Sequence, residues 1–429
     1  MKRNPGPGLV AVVCAVPVAL WAVEAPLGDR FGPARVTLRS LALALALAAY
    51  AAFAANVVLG ARLRSVERLF GGLDRIYRLH RRLGATVAIA LVGHAGLMAA
   101  SRGTDGVDAA VGLFLPSAGS AVFTGVVVLV VVVTAVLLSF YAPLRHGLFV
   151  AVQRLLGLAF LASALHVFRV PATTAASRPL RAYLAALAVA AGAAYLYRSV
   201  LGHFLVRRHP YRLADVHRLD RRVVELVASP EGPPMRFVPG QFAFVSLDHP
   251  FVDHGPHPFS ITSGRGEPNL RFVVKGVGDH TSALLDAHPG VRARVEGPYG
   301  GLCHERMPSR RQIWIAGGIG ITPFLSMARS LDHQRYRVDL YYCTAHAAEA
   351  YFMEELTAIG RHGALRVIAV QEDEVGFLTA ERVVETSDEV DGSDVLICGP
   401  PAMLDNLREQ FLARGVAESR LHAEDFRFH

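Results

Sequence analysis

The sequence predicts a multi-domain chain: a six-helix transmembrane bundle, then an antiparallel β-barrel, then an α/β domain with a parallel sheet. Three observations support this fold class. Hydrophobic residues make up 52% of the 429 residues and crowd into the first half, which is typical of membrane spans. After Arg207-Arg208, short β-rich segments are separated by proline and glycine turns. From Gln312 onward apolar strands alternate with helices, so we expect domains at 1–207, 208–305 and 306–429.

Six apolar stretches are long enough to span a membrane. The first follows Lys2 and Arg3 and has the alternative of a signal peptide, but no clear small-residue cleavage site follows it. The fifth is short and is expected to begin earlier, near Phe149. In chain order the predicted spans lie near Gly8–Val23, Thr37–Leu59, Leu83–Ala100, Ala121–Phe140, Leu155–Val170 and Leu180–Tyr197.

The distribution of arginine predicts how these spans are oriented. Seven arginines lie between the second and third spans, whereas Arg102 with Asp105 and Asp108 follows the third. Positively charged loops stay in the cytoplasm, so both termini are expected there, in a multi-pass protein of the inner membrane. Three arginines after the fifth span oppose this orientation but are fewer. Retained arginine also explains the net charge of +8, so membrane lipid and not nucleic acid is the expected partner.

The second half is expected to consist of short strands followed by alternating strands and helices. The barrel strands include Val223–Val227, Phe242–Leu247 and Leu270–Val274. The α/β domain is expected to use strands Ile313–Ala316, Val338–Cys343, Leu365–Val370 and Val395–Cys398, with helices from Pro323, around Ala348–Ile359 and from Ala402. The four cysteines are scattered and form no CxxC pair, so neither an iron–sulfur cluster nor a zinc site is expected.

Three histidines inside the apolar stretches are the strongest functional signal. His80 and His94 are fourteen residues apart, which on a helix is roughly 21 Å along the axis and about 40° around it. Both therefore face one side, and His166 lies in another span. Ionisable residues within a bilayer are costly and usually functional. Neutral imidazole is a haem-iron ligand, so the pattern predicts haem held between facing helices.

The run His257-Pro258-Phe259-Ser260-Ile261-Thr262-Ser263 falls on a predicted barrel strand. Here the chain resembles the ferredoxin-reductase-like flavoproteins, in the branch fused to a ferric-reductase/NADPH-oxidase membrane domain. The resemblance implies that the strand, with Pro258 and Ile261 in it, binds FAD. It further implies that His257 faces the flavin, that Phe259 flanks it, and that Ser260 or Thr262 hydrogen-bonds the isoalloxazine. An ordinary amphipathic strand is the alternative for this motif alone.

Flanking motifs occur in the order that this family uses. Pro239-Gly240-Gln241-Phe242 precedes the strand, and Gly297-Pro298-Tyr299-Gly300 closes the barrel. Between them lies Gly278-Asp279-His280-Thr281, where the resemblance implies that the Gly278 turn and the Thr281 hydroxyl hold the pyrophosphate. Backbone N–H groups in a glycine turn are suited to an anion.

Two further motifs indicate a nicotinamide dinucleotide site. Strand Ile313–Ala316 runs into a turn with Gly317, Gly318 and Gly320, and Thr322-Pro323 then opens a helix. Glycines permit close backbone approach, and a helix N-terminus favours phosphates. The later turn Cys398-Gly399-Pro400 resembles the family's turn under the nicotinamide; a buried small side chain is the alternative for Cys398.

The resemblance also bears on hydride transfer and on the coenzyme. Many relatives end in an aromatic residue that shields the flavin; Phe426 is the first choice for it and Phe428 the second, with a frayed terminus as the alternative. Relatives that prefer NADPH often carry arginine or serine after the Val338–Cys343 strand. Here Thr344-Ala345-His346 follows, so NADH is at least as well supported as NADPH, and Thr344 or His346 is placed to touch the ribose.

One ligand position departs from the family pattern. His80-Arg81 and His94 match its third span, but the fifth span, which reads His-Arg-Leu-Leu-Gly…His in the family, here begins with Gln153 and ends at His166. The outer pair of His94 and His166 is therefore intact, whereas His80 lacks its partner. Three alternatives remain: a five-coordinate haem on His80, a substitute ligand such as His146, or no inner haem, so one or two haem b groups are expected.

These observations predict a transmembrane oxidoreductase. Electrons would pass from cytoplasmic NADH or NADPH through FAD and haem b to a small acceptor across the membrane, either ferric iron or O2. The alternative is a membrane-anchored NAD(P)H flavin reductase that serves quinone or a membrane partner without a complete haem path. A non-catalytic relay subunit is a third possibility, which the intact flavin and nicotinamide motifs argue against.

Overall fold

The computed structural model describes residues 5–248, 255–387 and 390–424. The chain divides into two compact units between Val206 and Arg207. We call residues 5–206 the helical unit and the described residues from 207 onward the C-terminal unit. Phe426 and Phe428, the two residues predicted to shield the flavin, lie outside the described residues.

The helical unit is built from long apolar helices joined by short ones. Five of its described helices, α3, α5, α7, α8 and α10, are long and apolar enough to cross a membrane. The helices are α1 (Gly6–Ala22), α2 (Leu27–Arg30), α3 (Ala34–Gly60), α4 (Arg64–Phe70), α5 (Leu73–Gly103), α6 (Val107–Gly112), α7 (Ser120–Tyr141), α8 (His146–Arg169), α9 (Pro171–Thr174), α10 (Arg178–Tyr195) and α11 (Gly202–Leu205).

The sequence predicts six spans, and helix α1 is the one that is not confirmed as long enough to cross a membrane. Its 17 residues give a length of about 25 Å, which is short of a hydrocarbon core of about 30 Å. Pro5 precedes the helix, and the chain leaves it at Val23 before Glu24 and Pro26. The fifth predicted span does begin early, because α8 starts at His146.

The core of the helical unit forms where α3, α5, α7 and α8 pack. Phe160 of α8 is fully buried, with Tyr50 stacked on it at a ring-centroid distance of 5.5 Å and Phe53 edge-on at 5.4 Å. Aromatic rings in these arrangements add to the free energy gained from area burial. The contact fixes α8 against α3, and so sets the rotation of the helix that carries His166.

The C-terminal unit begins with an antiparallel six-stranded sheet in the order β4-β3-β6-β1-β2-β5. Its alternating apolar residues meet in a core that includes Tyr211, Leu226 and Phe272. The three predicted barrel strands are confirmed, each within three residues at its end. The strands are β1 (His209–Asp220), β2 (Val223–Pro230), β3 (Phe242–Leu247), β4 (His257–Ser260), β5 (Leu270–Lys275) and β6 (Arg292–Tyr299), and helix α12 (Asp279–Ala283) follows β5.

The remaining strands form a parallel sheet in the order β11-β10-β7-β8-β9, which confirms the predicted α/β alternation. The chain moves outward from β7 to β8 and β9, then returns to the other side of β7 with β10 and β11. The elements are β7 (Arg311–Gly317), α13 (Thr322–Ala328), β8 (Arg337–Thr344), α14 (Met353–Gly360), β9 (Leu365–Gln371), α15 (Glu372–Val375), α16 (Ala380–Thr386), β10 (Asp394–Cys398), α17 (Pro401–Ala413) and β11 (Leu421–Glu424). The order therefore reverses between β7 and β10, which is where ligands bind in open α/β sheets.

Candidate functional site

Two histidines predicted to bind iron are brought together in the helical unit. His94 lies on α5 and His166 on α8, and their imidazoles are close enough to interact electrostatically. The Nδ1 atom of His94 is 2.9 Å from the carbonyl oxygen of Ala42 on α3. The Nδ1 atom of His166 is 2.7 Å from the carbonyl oxygen of Ala121 on α7.

These carbonyl contacts decide the tautomer of both rings. A carbonyl oxygen only accepts hydrogen bonds, so each Nδ1 carries the hydrogen and each Nε2 keeps its lone pair. Histidines that bind metals show this arrangement, with the second ring nitrogen donating to a fixed acceptor. Both rings therefore leave Nε2, the nitrogen that would bind a metal ion, outside these carbonyl contacts.

A glycine on α7 makes room for the His166 ring. A Cβ atom at Gly125 would lie 2.6 Å from the nearest imidazole carbon, closer than real contacts allow. The helix backbone therefore passes directly against the ring and holds it in one orientation.

His80 has a different environment, near the other end of α5. Its Nδ1 atom is 3.0 Å from the carbonyl oxygen of Asn56, and its imidazole also hydrogen-bonds with the Gln153 side chain. The Gln153 amide donates to Ser139 Oγ over 3.1 Å. The residue that replaces the family's histidine thus contacts His80 directly.

The predicted flavin strand is β4 with the residues that follow it. It pairs with β3 so that Ser260 lies opposite Phe242 and His257 opposite Val245. Ser260 is 7% exposed, Ile261 is fully buried and bridges to β5, and the Thr262 hydroxyl is buried without a hydrogen-bond partner in the described residues. A buried polar atom of this kind is suited to a polar ligand edge.

His257 contacts a residue for which the sequence motifs predict no separate role. Its ring stacks on His280 of α12, with a centroid distance of 3.4 Å and an angle of 20° between the rings. His280 also lines an apolar pocket with Phe259, Phe272 and four aliphatic residues. The signal in the sequence was the position of His280 inside the Gly278–Thr281 motif, but only the fold brings that turn to β4.

The Gly278–Thr281 turn is held by its own hydroxyl. Thr281 Oγ1 accepts hydrogen bonds from the backbone N–H groups of Val277 and Gly278, over 2.9 Å and 3.0 Å. The hydroxyl predicted to contact pyrophosphate therefore shapes the turn in this structure.

The two predicted nicotinamide motifs meet at the point where the parallel sheet reverses. Cys398 pairs with Ala316, and a Cβ at Gly320 would lie 2.2 Å from the Cys398 carbonyl oxygen. A Cβ at Gly317 would lie 2.6 Å from Met403 Sδ, and one at Gly399 would lie 3.1 Å from the Gly317 backbone nitrogen. Glycine is required because the two turns pack backbone against backbone.

The other residues of these motifs surround that contact. Gly318 has φ +54°, in the left-handed region that favours glycine. Thr322 begins α13 and donates to the Ile319 carbonyl over 3.0 Å, with Pro323 next in the first turn. Pro400 precedes α17. Cys398 lies where the strand order reverses between β7 and β10. It is only 1% exposed, so its thiol is buried.

A clamp that the sequence did not predict ties the flavin strand to the parallel sheet. Arg329, at the end of α13, has a side chain that is 8% exposed. It donates to the carbonyl oxygen of Thr262 over 2.7 Å and binds both carboxylate oxygens of Glu355 over 2.7 Å and 2.9 Å. Ser326 Oγ donates to the Ser263 carbonyl over 2.6 Å.

Acidic residues lie near the end of β8, the segment on which the prediction of NADH or NADPH as coenzyme depends. His346 Nδ1 lies 2.8 Å from Asp373 Oδ2, and this hydrogen bond raises the pKa of the imidazole above its ordinary value. The charges of Glu349 and Glu372 act in the same direction. The Thr344 hydroxyl is buried without a hydrogen-bond partner among the described residues.

Comparison with known proteins matches both units. The family model of the ferric reductase like transmembrane component matches residues 45–164, that of an FAD-binding domain matches 208–302, and that of the oxidoreductase NAD-binding domain matches 314–409. A likeness in fold to the flavohemoglobin of Malassezia yamatoensis has a TM-score of 0.51 at 19% identity and covers 92% of this chain and 98% of that one.

Curated relatives share parts of the sequence. A flavohemoprotein of Rhodopirellula baltica is 31% identical over 222 residues, which are 46% of this chain and 54% of that protein. The ferredoxin–NAD(+) reductase component of an alkene monooxygenase system from Xanthobacter autotrophicus is 28% identical over 51% of this chain and 68% of that protein. Ferric reduction oxidase 8 of Arabidopsis thaliana is 32% identical over 26% of this chain and 16% of that protein. The chain thus spans about half the length of the first of these relatives.

The order of the three family models confirms the resemblance that the motifs predicted. With a ferric reductase type of transmembrane component followed by FAD-binding and NAD-binding domains, the chain has the ferric reductase/NADPH oxidase-like architecture.

Proposed function

We propose that this protein is a transmembrane oxidoreductase that takes electrons from NADH or NADPH and delivers them to ferric iron or O2 across the membrane. The observation that carries the proposal is the His94–His166 pair, held by carbonyl contacts, in a chain that also has FAD-binding and NAD-binding domains. FAD supplies the exchange between hydride and single-electron chemistry, and haem b supplies one-electron transfer within the bilayer.

In this proposal the apolar helices and the two carbonyls hold the iron ligands. The Ala42 and Ala121 carbonyls accept from Nδ1 of His94 and His166, which would leave both Nε2 atoms for the iron. No charged group has to be introduced into the bilayer to create this site.

In the C-terminal unit, each predicted residue has a proposed role in positioning. His257, Pro258, Phe259, Ser260, Ile261 and Thr262 place the isoalloxazine, and Gly278 with Thr281 forms the turn beside the pyrophosphate. Gly317, Gly318, Gly320, Thr322, Pro323, Gly399 and Pro400 form the nicotinamide dinucleotide crevice, with Cys398 at its floor. Phe426 remains the proposed aromatic shield of the flavin.

The overall reaction balances with small acceptors on the far side. One NADH and two ferric ions give NAD⁺, one proton and two ferrous ions; with O2 the products are two superoxide ions instead. The distribution of arginine supports a cytoplasmic position of both termini, and we propose the inner membrane as the location.

The proposal is tested with the full-length protein in liposomes that contain a ferric chelate and a trapped ferrous indicator. External NADH should produce internal ferrous iron. His94→Ala and His166→Ala should lower this signal by at least about tenfold, because losing an axial ligand removes the carrier in the bilayer. Both variants should still oxidise NADH with external ferricyanide.

His203→Ala, a change at an exposed histidine of the same unit, is the matched control and should leave the internal signal unchanged. Internal iron reduction at the wild-type rate in both axial variants would contradict the proposal. So would the absence of a b-type haem spectrum in the wild-type protein.

The second candidate function is a membrane-anchored flavin reductase that serves quinone. The observation that favours it is Gln153, which stands where a second pair of axial ligands needs histidine. NADH-driven reduction of quinone by a purified protein without any haem signal would support this candidate.

A further inference from the structure

A network of hydrogen-bonded polar side chains lies where the family has its inner pair of haem ligands. It joins four helices: Asn56 on α3, His80 on α5, Ser139 on α7 and Gln153 on α8. Polar side chains are costly among apolar helices, so their hydrogen bonds define what this position is able to hold.

The hydrogen bonds of this network engage the polar side chains at the inner position with one another and with backbone carbonyls. His80 Nδ1 donates to the Asn56 carbonyl, so its other ring nitrogen is an acceptor. The Gln153 amide donates to Ser139 Oγ over 3.1 Å, and the Gln153 side chain also hydrogen-bonds with His80. Ser139 in turn donates to the Ala135 carbonyl over 2.7 Å, which completes the chain.

The inner position differs from the outer one in a single residue type, because a glutamine stands where the outer pair has a second histidine. His94 and His166 also direct Nδ1 to carbonyls, but each interacts electrostatically with another imidazole, whereas the neighbour of His80 is an amide. A neutral carboxamide is a poor ligand for haem iron, which prefers imidazole, thiolate or thioether donors. The residues at the inner position therefore do not fit a six-coordinate haem.

Position along α8 also argues against His146 as a substitute. His166 is thirteen residues beyond Gln153, close to the fourteen that separate His94 from His80, so Gln153 is the residue level with His80. His146 lies seven residues before Gln153, roughly 10 Å farther along the helix axis.

We infer that this protein holds a single haem, at His94 and His166, and that the Gln153–His80 contact takes the place of a second one. The inference rests on the proposed function and specifies its stoichiometry. His80 then serves to fix α5 against α3 and α8, and Gln153 is the residue that excludes iron from the inner position.

The test measures haem and FAD in the same purified full-length protein, haem as its pyridine haemochrome and FAD by fluorescence after acid release. The wild type should contain about one haem per FAD, and a redox titration at the haem absorption band should give a single one-electron transition. His80→Ala should keep this ratio, whereas His94→Ala should lose the haem. The FAD content and the gel-filtration profile show that each variant is folded.

The complementary variant is Gln153→His, which recreates facing imidazoles. It should raise the ratio to about two haems per FAD and add a second redox transition. A ratio of about two in the wild type, or a halving in His80→Ala, would overturn the inference while leaving the proposed function intact. A ratio that stays at about one in Gln153→His would overturn the role given to Gln153. A wild-type ratio near zero would instead refute the proposed function.

Discussion

At the residue scale, one backbone carbonyl determines what each membrane histidine is able to do. All three imidazoles use Nδ1 to donate to a carbonyl of a neighbouring helix, so all three have the same tautomer. The neighbouring side chain then distinguishes them. His94 interacts electrostatically with the His166 imidazole, whereas His80 hydrogen-bonds with the Gln153 side chain.

A second residue-scale feature bears on the choice of coenzyme. Asp373, Glu349 and Glu372 act on His346 at the end of β8, where the resemblance implies that the 2′-phosphate of NADPH would bind. The hydrogen bond with Asp373 raises the pKa of His346, and the same carboxylate compensates the positive charge of the protonated imidazole. The surplus carboxylates should repel a 2′-phosphate, so we expect a higher kcat/KM with NADH than with NADPH.

Asp373→Asn should reduce the NADH preference by about fivefold, since an exposed charge interaction of about 1 kcal/mol corresponds to that ratio. The measurement is kcat/KM for both coenzymes with ferricyanide, together with inhibition by 2′-phospho-AMP. The control is Asp332→Asn. Asp332 is exposed and precedes β8 at the opposite edge of the sheet, so this change should leave the ratio of kcat/KM for NADH and NADPH unchanged. A wild-type preference for NADPH would refute the expectation.

At the element scale, the barrel and the parallel sheet are joined by a clamp that also contacts the proposed flavin strand. Arg329→Ala should remove the hydrogen bond to the Thr262 carbonyl and leave Glu225, a buried carboxylate 3.9 Å away, without this cation. Breaking a buried ion pair costs about 3–5 kcal/mol, so bound FAD should be released at a lower temperature.

This is measured as the rise of flavin fluorescence on heating. Arg329→Lys should recover part of the loss, because lysine keeps the charge but not the two-point contact with Glu355. Arg361→Ala, at an exposed arginine just after α14, is the control. If Arg329→Ala released FAD at the wild-type temperature, the clamp would have no part in holding β4.

Elements were predicted well where a local pattern determines them. Glycine and proline turns delimit β3 and β5, and the alternation from Gln312 gives the parallel strands. The helix predicted around Ala348–Ile359 begins only at Met353, after a short turn at Ala347–Glu349, because helix ends depend on local capping. Contacts between distant segments were not predictable: the stacking of His257 on His280 and the reach of Arg329 to Thr262 depend on how whole elements pack.

The candidate site divides in the same way. Glycine positions such as Gly320 were identifiable from sequence, since the turn chemistry is local. The Gln153 substitution was visible too, but its consequence required the side chains of α7 and α8 to be placed. Sequence alone left three alternatives for His80, whereas the contact with Gln153 favours one of them.

At the scale of the whole molecule, the proposed reaction needs the two ends of α5 to lie on opposite sides of the membrane. The arginine-rich segment before α5 is then cytoplasmic, and α6 is external. On the external side Arg35 pairs with Asp105 over 2.6 Å, so this arginine is neutralised and opposes the orientation less than an unpaired charge would.

Single cysteines test this orientation in intact cells with a membrane-impermeant maleimide. In a Cys14→Ser background, where the remaining cysteines are buried, Asp108→Cys should be labelled from outside. Ser65→Cys, at an exposed position of the arginine-rich segment, should be labelled only after permeabilisation. Each position is the control for the other. If the protein had the opposite orientation in the membrane, Ser65→Cys would be labelled in intact cells and Asp108→Cys only after permeabilisation. Labelling of Ser65→Cys in intact cells would place the positive loop outside and, with it, the source of electrons on the wrong side for cytoplasmic NADH.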